Sequence, residues 1–486
     1  MSEREKYLIK ITPIVLMILN FILKFIFIKT NSIAGDEPFT IYHAQMDVSA
    51  LFHYLIGGNN PPLYEIFLHF WMKLFGINEL SVRFPSLIFS VFTVYFIYKI
   101  GKDFLNYRIA LIASLLFTFS TYHIFFSHEA RVYQMFAMLT SMSMFYFLKI
   151  CNKQDGFKNY FFLFLVNALL IYSHYFSFFV IFLQAFSILC FKQIRKQQLI
   201  KYFSLILFLF IVYIPHLSTI INRFIDSAGN GTWLSKPEGI VSLYNMLWKF
   251  SNMPITTVLS IIILFTALVK FIVKKDFKNK SITARIIFLW FLFPFFFMFF
   301  ISYWIPMFLD RYLIFVSLAY YLVLAVCSSY IIETKKYKII IPSVLVFMFI
   351  ITTNPNVDND RHVKEAIVKI KELKNNKTYV LVCPQSFVPN FVYYYDQKIF
   401  QDVDNQNEYK KLFDKLKNQN VYFINNINEV SLNEANSVIY LDAAANFLFP
   451  NNNVLATLNA KYSLNHTYKF YEIFNVYEFQ NKKHGI

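Results

Sequence analysis

The sequence predicts a polytopic α-helical membrane protein of about eleven spans, followed by a small C-terminal α/β domain outside the cytoplasm. Three observations predict it. Of 486 residues, 57% are hydrophobic and 15% charged, with 60 Phe and 33 Tyr, a more apolar balance than a soluble domain of this length needs. Apolar runs of about 20 residues recur along the chain, with Lys and Arg gathered in alternate connections. After Thr353 the runs shorten, charge rises and alternation appears.

The first apolar stretch runs from Leu8 to Ile28. It carries Asn20 and Lys24, and no cleavage pattern of small residues precedes Asp36, so it reads as a retained helix. Further spans begin near Arg83, Ile109, Val132, Tyr160, Ser177, Leu199, Ile255, Ile286, Tyr312 and Tyr337. The first outer loop, about 29–83, has apolar residues at helical spacing: Phe39, Tyr42, His43 and Met46, then Leu63, Ile66, Phe67, Phe70, Trp71 and Leu74. It predicts two short interfacial helices joined by an ordered turn through Gly57-Gly58-Asn59-Asn60-Pro61-Pro62. A second outer loop is expected from Asn222 to Met253, holding Gly229-Asn230-Gly231 and Trp233.

The helical body is thus assigned to residues 1–353 and the α/β domain to 354–486. In the latter, Tyr379–Val382, Val421–Ile424 and Val438–Leu441 read as short buried strands. Helical patterns fall at Val363–Leu373 and Tyr409–Leu416, and Tyr462–Phe479 reads as a terminal hairpin. A partly parallel sheet follows.

The net charge of +17 does not imply a nucleic-acid partner, because its distribution is topological. The clusters Lys99/Lys102/Arg108, Lys149/Lys153/Lys158, Lys192/Arg195/Lys196/Lys201, Lys270–Arg285 and Lys335/Lys336/Lys338 fall in alternate connections. The positive-inside bias places the N-terminus in the cytoplasm of a multi-pass protein of the cytoplasmic (inner) membrane. Asp36-Glu37, Glu129-Arg131 and everything after Thr353 then lie outside. Cys151, Cys190, Cys327 and Cys383 form neither a disulfide framework nor a zinc spacing.

Ionisable residues are scarce at mid-span and collect at the predicted outer ends: Asp36, Glu37, His53, Arg83, His128, Glu129, Arg131, His174, Asp310 and Arg311. A transporter more often carries polar groups near the bilayer centre. This distribution favours chemistry on a molecule held in the outer leaflet. Transfer from a lipid phosphate needs a carboxylate to deprotonate an incoming hydroxyl, which Asp36 or Glu37 can supply. It also needs cations on the phosphate, for which Arg131 and Arg311 are the candidates. His53, His128, His174, Tyr64 and Tyr133 complete the set of candidate contacts, although each also suits packing or an interfacial aromatic belt.

The motifs around these residues resemble the GT-C glycosyltransferases of the protein O-mannosyltransferase and lipid A aminoarabinose transferase type. The resemblance rests on Asp36-Glu37 after the first span and on Asn60-Pro61-Pro62-Leu63-Tyr64, similar to a family H-P-P-L-Y stretch. It continues through Leu74–Glu79, Val82–Ser86, His128-Glu129-Ala130-Arg131-Val132-Tyr133, Tyr172–Phe176 and Arg311–Phe315. It implies a polyprenyl-phosphate sugar donor, inversion at the anomeric carbon and an extracytoplasmic acceptor: a glycan, lipid A or a protein hydroxyl. By position Asp36 is implied as the base, with Glu37 orienting the site. Arg131, Arg311, Asn60 and His128 are expected at the donor phosphate or lipid, and Glu129, Tyr133, His53, Tyr64 and His174 at the substrate. Asn60 stands where many members carry His, so it offers a hydrogen bond but no charge. No cofactor is required on this reading, and a divalent metal is not expected. The competing readings are a flippase for lipid-linked saccharide, or a polymerase or ligase using a pyrophosphate-linked oligosaccharide.

Overall fold

A computed structural model describes residues 3–482 except 57–60, 192–195, 230–233, 275–280, 335, 360, 407–408, 433–434, 450 and 472–473. The chain divides into two compact units: residues 1–28, 55–64 and 83–357 form one, and residues 29–54, 65–82 and 358–486 the other. Most of the first outer segment is thereby grouped with the C-terminal residues rather than with the helical body.

The first unit is helical. Each of the predicted apolar stretches is occupied by helix, starting with Glu3–Phe25 and Glu79–Phe104 and ending with Ile340–Thr352. Among the described residues, six helices are long and apolar enough to cross a membrane: Tyr7–Phe25, Glu79–Phe104, Lys196–Ser227, Pro254–Val273, Ile282–Ile301 and Ile314–Ile331. A seventh is gained if Tyr107–Thr118 and Thr121–Ser127, bent by 60°, count as one broken span. The bend is stabilised by Ser120, whose Oγ caps His123 N–H at 3.3 Å and lies 2.7 Å from the Tyr321 hydroxyl. The helix Ile314–Ile331 is nearly all buried and forms the centre of this unit. Lys196–Gly229 and Pro254–Val273 instead expose Leu207, Phe208, Phe210, Ile262 and Phe265, as lipid-facing helices do. The first of these two continues to Gly229, so part of the expected second outer loop is helix, while 230–233 lie outside the described residues.

Polar side chains tie the buried helices together. Ser143, Asn167, Gln184 and Tyr202 come from four helices and close a network. Ser143 Oγ donates to Asn167 Oδ1 at 2.5 Å, Asn167 Nδ2 to Gln184 Oε1 at 3.1 Å, and Gln184 Nε2 to Ser143 Oγ at 2.6 Å. The Tyr202 hydroxyl adds a bond to Gln184 Oε1 at 3.1 Å. Such hydrogen bonds hold helices together where the hydrophobic effect between helices is absent.

The second unit is built on a five-stranded sheet of order β2-β1-β3-β5-β4. Its strands are β1 (Thr378–Cys383), β2 (Val421–Phe423), β3 (Ser437–Ala443), β4 (Tyr462–Tyr471) and β5 (Phe474–Asn481). β1 pairs in parallel with β2 and β3, and β5 runs antiparallel to β3 and β4, giving the expected mixed sheet and hairpin. The helix Val363–Leu373 buries Val363, Ala366, Ile367 and Ile370, one stripe of a 3.6-residue period. Leu381, Val438, Tyr440 and Phe479 lie in the core beneath the sheet. A helix at Val388–Tyr395 was not expected from the sequence. The first outer segment contributes three helices rather than two: Glu37–His43, Val48–Ile56 and Leu63–Phe75.

Candidate active site

The acidic pair sits on a turn of the second unit. Ser32, Ile33 and Ala34 are buried, Gly35 turns the chain at φ +61°, and Glu37 opens a short helix with Pro38 in its first turn. The two acids are held differently. Glu37 is 2% exposed and folds back, its Oε2 accepting the Ala34 N–H at 3.4 Å. Asp36 is exposed and, although it occupies the N-cap position, its side chain makes no cap hydrogen bond.

Side chains from the C-terminal residues hold the strap that leads into this turn. Asn359 Nδ2 donates to Ser32 O at 3.0 Å, and Ser32 Oγ donates to Glu365 Oε2 at 3.2 Å. Ile33 N–H donates to the Tyr394 hydroxyl at 2.6 Å, and that hydroxyl donates to Glu79 Oε1 at 2.8 Å. Lys364 Nζ reaches the same carboxylate oxygen at 3.2 Å. Burial, reinforced by the Glu79 charge, pushes the Tyr394 phenol far above its ordinary range, so it stays a donor. Asn390 Nδ2 donates to Gly35 O at 3.2 Å. The Arg361 guanidinium packs onto Gly35 where a Cβ would stand, with Nη1 1.6 Å from that position.

Further along this unit, the buried His43 ring stacks on Tyr54 at 4.2 Å and its Nδ1 lies 2.7 Å from Phe39 O. His53 is exposed on a cleft of about 490 Å³ lined also by Met46, Asp47, Ser49, Tyr54 and Asn405. Asn405 Nδ2 donates to Asp47 Oδ2 at 2.6 Å.

In the helical unit two arginines converge on one tyrosine. The Arg131 guanidinium lies 5.8 Å from the Tyr133 ring centre, and Arg311 Nη1 donates to the Tyr133 hydroxyl at 3.4 Å. Arg131 is 7% exposed and Arg311 half-buried. His174, in the turn between Phe157–Ile171 and Ser177–Cys190, stacks on Phe136 at 4.6 Å. Its Nδ1 accepts the Phe176 N–H at 3.2 Å. Burial, helped by the charges of Arg131 and Arg311, pushes it down to about 3. It therefore stays neutral between two cations. Arg311 follows Asp310, which pairs with Lys249 at 2.5 Å.

Of the remaining sequence candidates, Tyr64 is buried in this unit, and the preceding Leu63 N–H donates to Tyr172 O at 3.0 Å, two residues before His174. His128 points elsewhere: its Nε2 donates to Lys24 O at 2.7 Å, and burial, then the nearby Arg83 and Lys24 charges, lowers it to about 4. The Glu129 carbonyl accepts the Ser86 hydroxyl at 2.6 Å, which fixes the start of the Arg131 turn. Asn60 lies outside the described residues. Lys24, noted in the sequence as a charge within the first span, is buried with Nζ 2.7 Å from Ser90 Oγ and 4.3 Å from the Phe117 ring centre. The structure thus brings Arg131, Tyr133, His174 and Arg311 together. Sequence reasoning missed Arg361, Asn390 and Tyr394, since no local motif marks them.

Comparison with known proteins gives a family match over part of the chain and a likeness of fold over nearly all of it. Residues 59–218, about a third of the chain, match the family model for dolichyl-phosphate-mannose-protein mannosyltransferase. The crystal structure of ArnT from Cupriavidus metallidurans in the apo state matches at TM-score 0.60 and 10% identity, covering 98% of each chain. The same protein bound to undecaprenyl phosphate matches at TM-score 0.55 and 10% identity, again over 98% of each. The archaeal oligosaccharyltransferase AglB from Archaeoglobus fulgidus, in complex with an inhibitory peptide and a dolichol-phosphate, matches at TM-score 0.54 and 10% identity. That alignment covers 100% of this chain and 75% of AglB. No curated protein sequence matches. The family model thus matches a part of the chain, residues 59–218, while over nearly its whole length the fold resembles those of ArnT and AglB.

Proposed function

We propose that this protein is an inverting glycosyltransferase that moves a hexosyl or pentosyl unit from a polyprenyl-phosphate donor to a hydroxyl on an extracytoplasmic acceptor. The observation that carries the reading is the pair Arg131 and Arg311 gathered on Tyr133, with a neutral His174 beside them. Like charges repel, so two guanidiniums assembled in a largely buried place favour an anion, and a lipid phosphate monoester is the anion such a fold receives. ArnT binds undecaprenyl phosphate and AglB a dolichol-phosphate, which supports a donor of the same lipid class here.

On this reading Asp36 takes the proton of the acceptor hydroxyl. The oxygen attacks the anomeric carbon from the face opposite the phosphate, and the C–O bond to phosphate breaks. Its electron pair leaves with the polyprenyl phosphate, whose charge Arg131 and Arg311 neutralise. Glu37, tied to Ala34 N–H, keeps the turn in shape. His53 and Tyr64 complete the substrate contacts. Neutral at physiological pH, His128 and His174 act as hydrogen-bonding rather than charged groups. Arginine charge alone balances the phosphate, so no metal or organic cofactor is required. The reading of about eleven spans counts the shorter apolar helices with the six or seven of full spanning length. An odd number puts the termini on opposite sides, and the positive-inside bias supports a cytoplasmic N-terminus with the C-terminal sheet outside.

Asp36→Asn is expected to insert and fold normally while turnover falls roughly 10²–10⁴-fold, the range lost with a general base. Arg311→Ala is expected to weaken binding of undecaprenyl phosphate. Purified Asp36→Asn enzyme with full activity on a polyprenyl-phosphate sugar would sink the assignment of the base.

A further inference from the structure

The C-terminal residues do more than cap the sheet: they supply the partners of the strap that leads into Asp36. Within the second unit the backbone of residues 32–35 is gripped at successive points by side chains at least 320 positions later. Ser32 O is held by Asn359, Ile33 N–H by Tyr394 and Gly35 O by Asn390, while Arg361 closes over the Gly35 Cα. The strap residues Ser32, Ile33 and Ala34 are buried, so these are groups that burial would otherwise leave unsatisfied. Tyr394 is itself fixed by Glu79, and Glu79 by Lys364, so the grip is a connected chain rather than one contact. Asp36 stands at the exposed end of this strap, directly after the gripped Gly35.

We infer that Asn390 and Tyr394 are positioning residues, through which the C-terminal domain sets the geometry of Asp36; this deepens and rests on the proposed role of Asp36 as base. A general base works only within hydrogen-bond reach of the proton it takes, so a loosened strap lowers the rate of the chemical step more than it weakens donor binding.

The test uses the full-length protein in detergent, comparing the unmodified chain with Tyr394→Phe and Asn390→Ala. Tyr394→Phe removes one hydroxyl and keeps the ring. Amide hydrogen exchange is followed over peptides spanning residues 30–38 and over β1 and β3, and the protection of the two strands reports whether the sheet is intact. Turnover is read as release of undecaprenyl phosphate from a panel of undecaprenyl-phosphate sugars with cell-envelope extract as acceptor. Each variant is expected to speed exchange in residues 33–37 by about tenfold or more while β1 and β3 stay protected. With it, kcat is expected to fall by about tenfold or more, the KM for donor staying within about twofold. Unchanged exchange in the strap overturns the grip, and faster exchange with unaltered kcat overturns the positioning role. The two variants touch different backbone groups, so either one with an intact sheet decides the matter. Absence of turnover by the unmodified chain on every donor sinks the glycosyl-transfer reading and the catalytic half of this inference with it, while the exchange data separately decide the grip.

Discussion

At the scale of single residues, Asp36 and Glu37 are neighbours with opposite environments. The chain bends at Gly35, whose φ of +61° belongs to a region that L side chains rarely adopt. That bend leaves Asp36 exposed and folds the Glu37 carboxylate inward toward the Ala34 amide. The space above Gly35 is taken by the Arg361 guanidinium, so a methyl group there meets backbone strain and also displaces the end of that flexible side chain. Gly35→Ala is therefore expected to cost about 1–3 kcal/mol locally and to lower turnover through displacement of the acidic turn. Differential exchange of residues 33–37, alongside the melting temperature, checks it; an unaltered turn and normal rate would count against the strain argument.

At the scale of elements, the turn carrying His174 joins two short apolar helices and faces two arginines. His174 has its folded-state value lowered to about 3 and His128 to about 4, both below the ordinary imidazole value. Their stabilising contribution is complete above about pH 6.5, where both states are neutral. It is lost as pH falls toward 4 and then 3, because the unfolded chain binds protons that the folded one refuses. His174→Gln keeps an acceptor for the Phe176 amide and removes the titration. Its melting temperature is expected to fall less steeply than that of the unmodified chain between pH 6.5 and 4, and parallel curves would refute the linkage. The elements themselves were largely legible. Apolar runs announced helices because their composition is local, and Tyr379–Val382 and Val438–Leu441 announced strands for the same reason. The helix Val388–Tyr395 was not legible, since Pro389 and a run of three tyrosines fit strand or turn equally well. The partners it delivers, Asn390 and Tyr394, act on residues hundreds of positions earlier, and no window of sequence holds both sides of that contact. Arg131 and Arg311 were legible as charges at span ends, but only folding brings both to Tyr133.

At the scale of the whole molecule, the charge map and the helices make one topological prediction. With a cysteine-free background, single cysteines at Lys338 and at Asn356 should differ in labelling by a membrane-impermeant maleimide on intact cells. Asn356→Cys is expected to react, and Lys338→Cys only after the membrane is opened. The reverse pattern would invert the topology. The separation of the acidic turn from its clamps also has a bearing on how the protein is made. Ile33 and Gly35 leave the ribosome near the start of synthesis, whereas Asn390 and Tyr394 arrive after more than 300 further residues, which take about 15–60 s at ordinary rates. Until those partners have folded, the strap lacks its fixings. On the proposed role of Asp36, a half-synthesised chain has the acidic turn without the side chains that hold it, so competence waits for residues that emerge at position 390 and beyond.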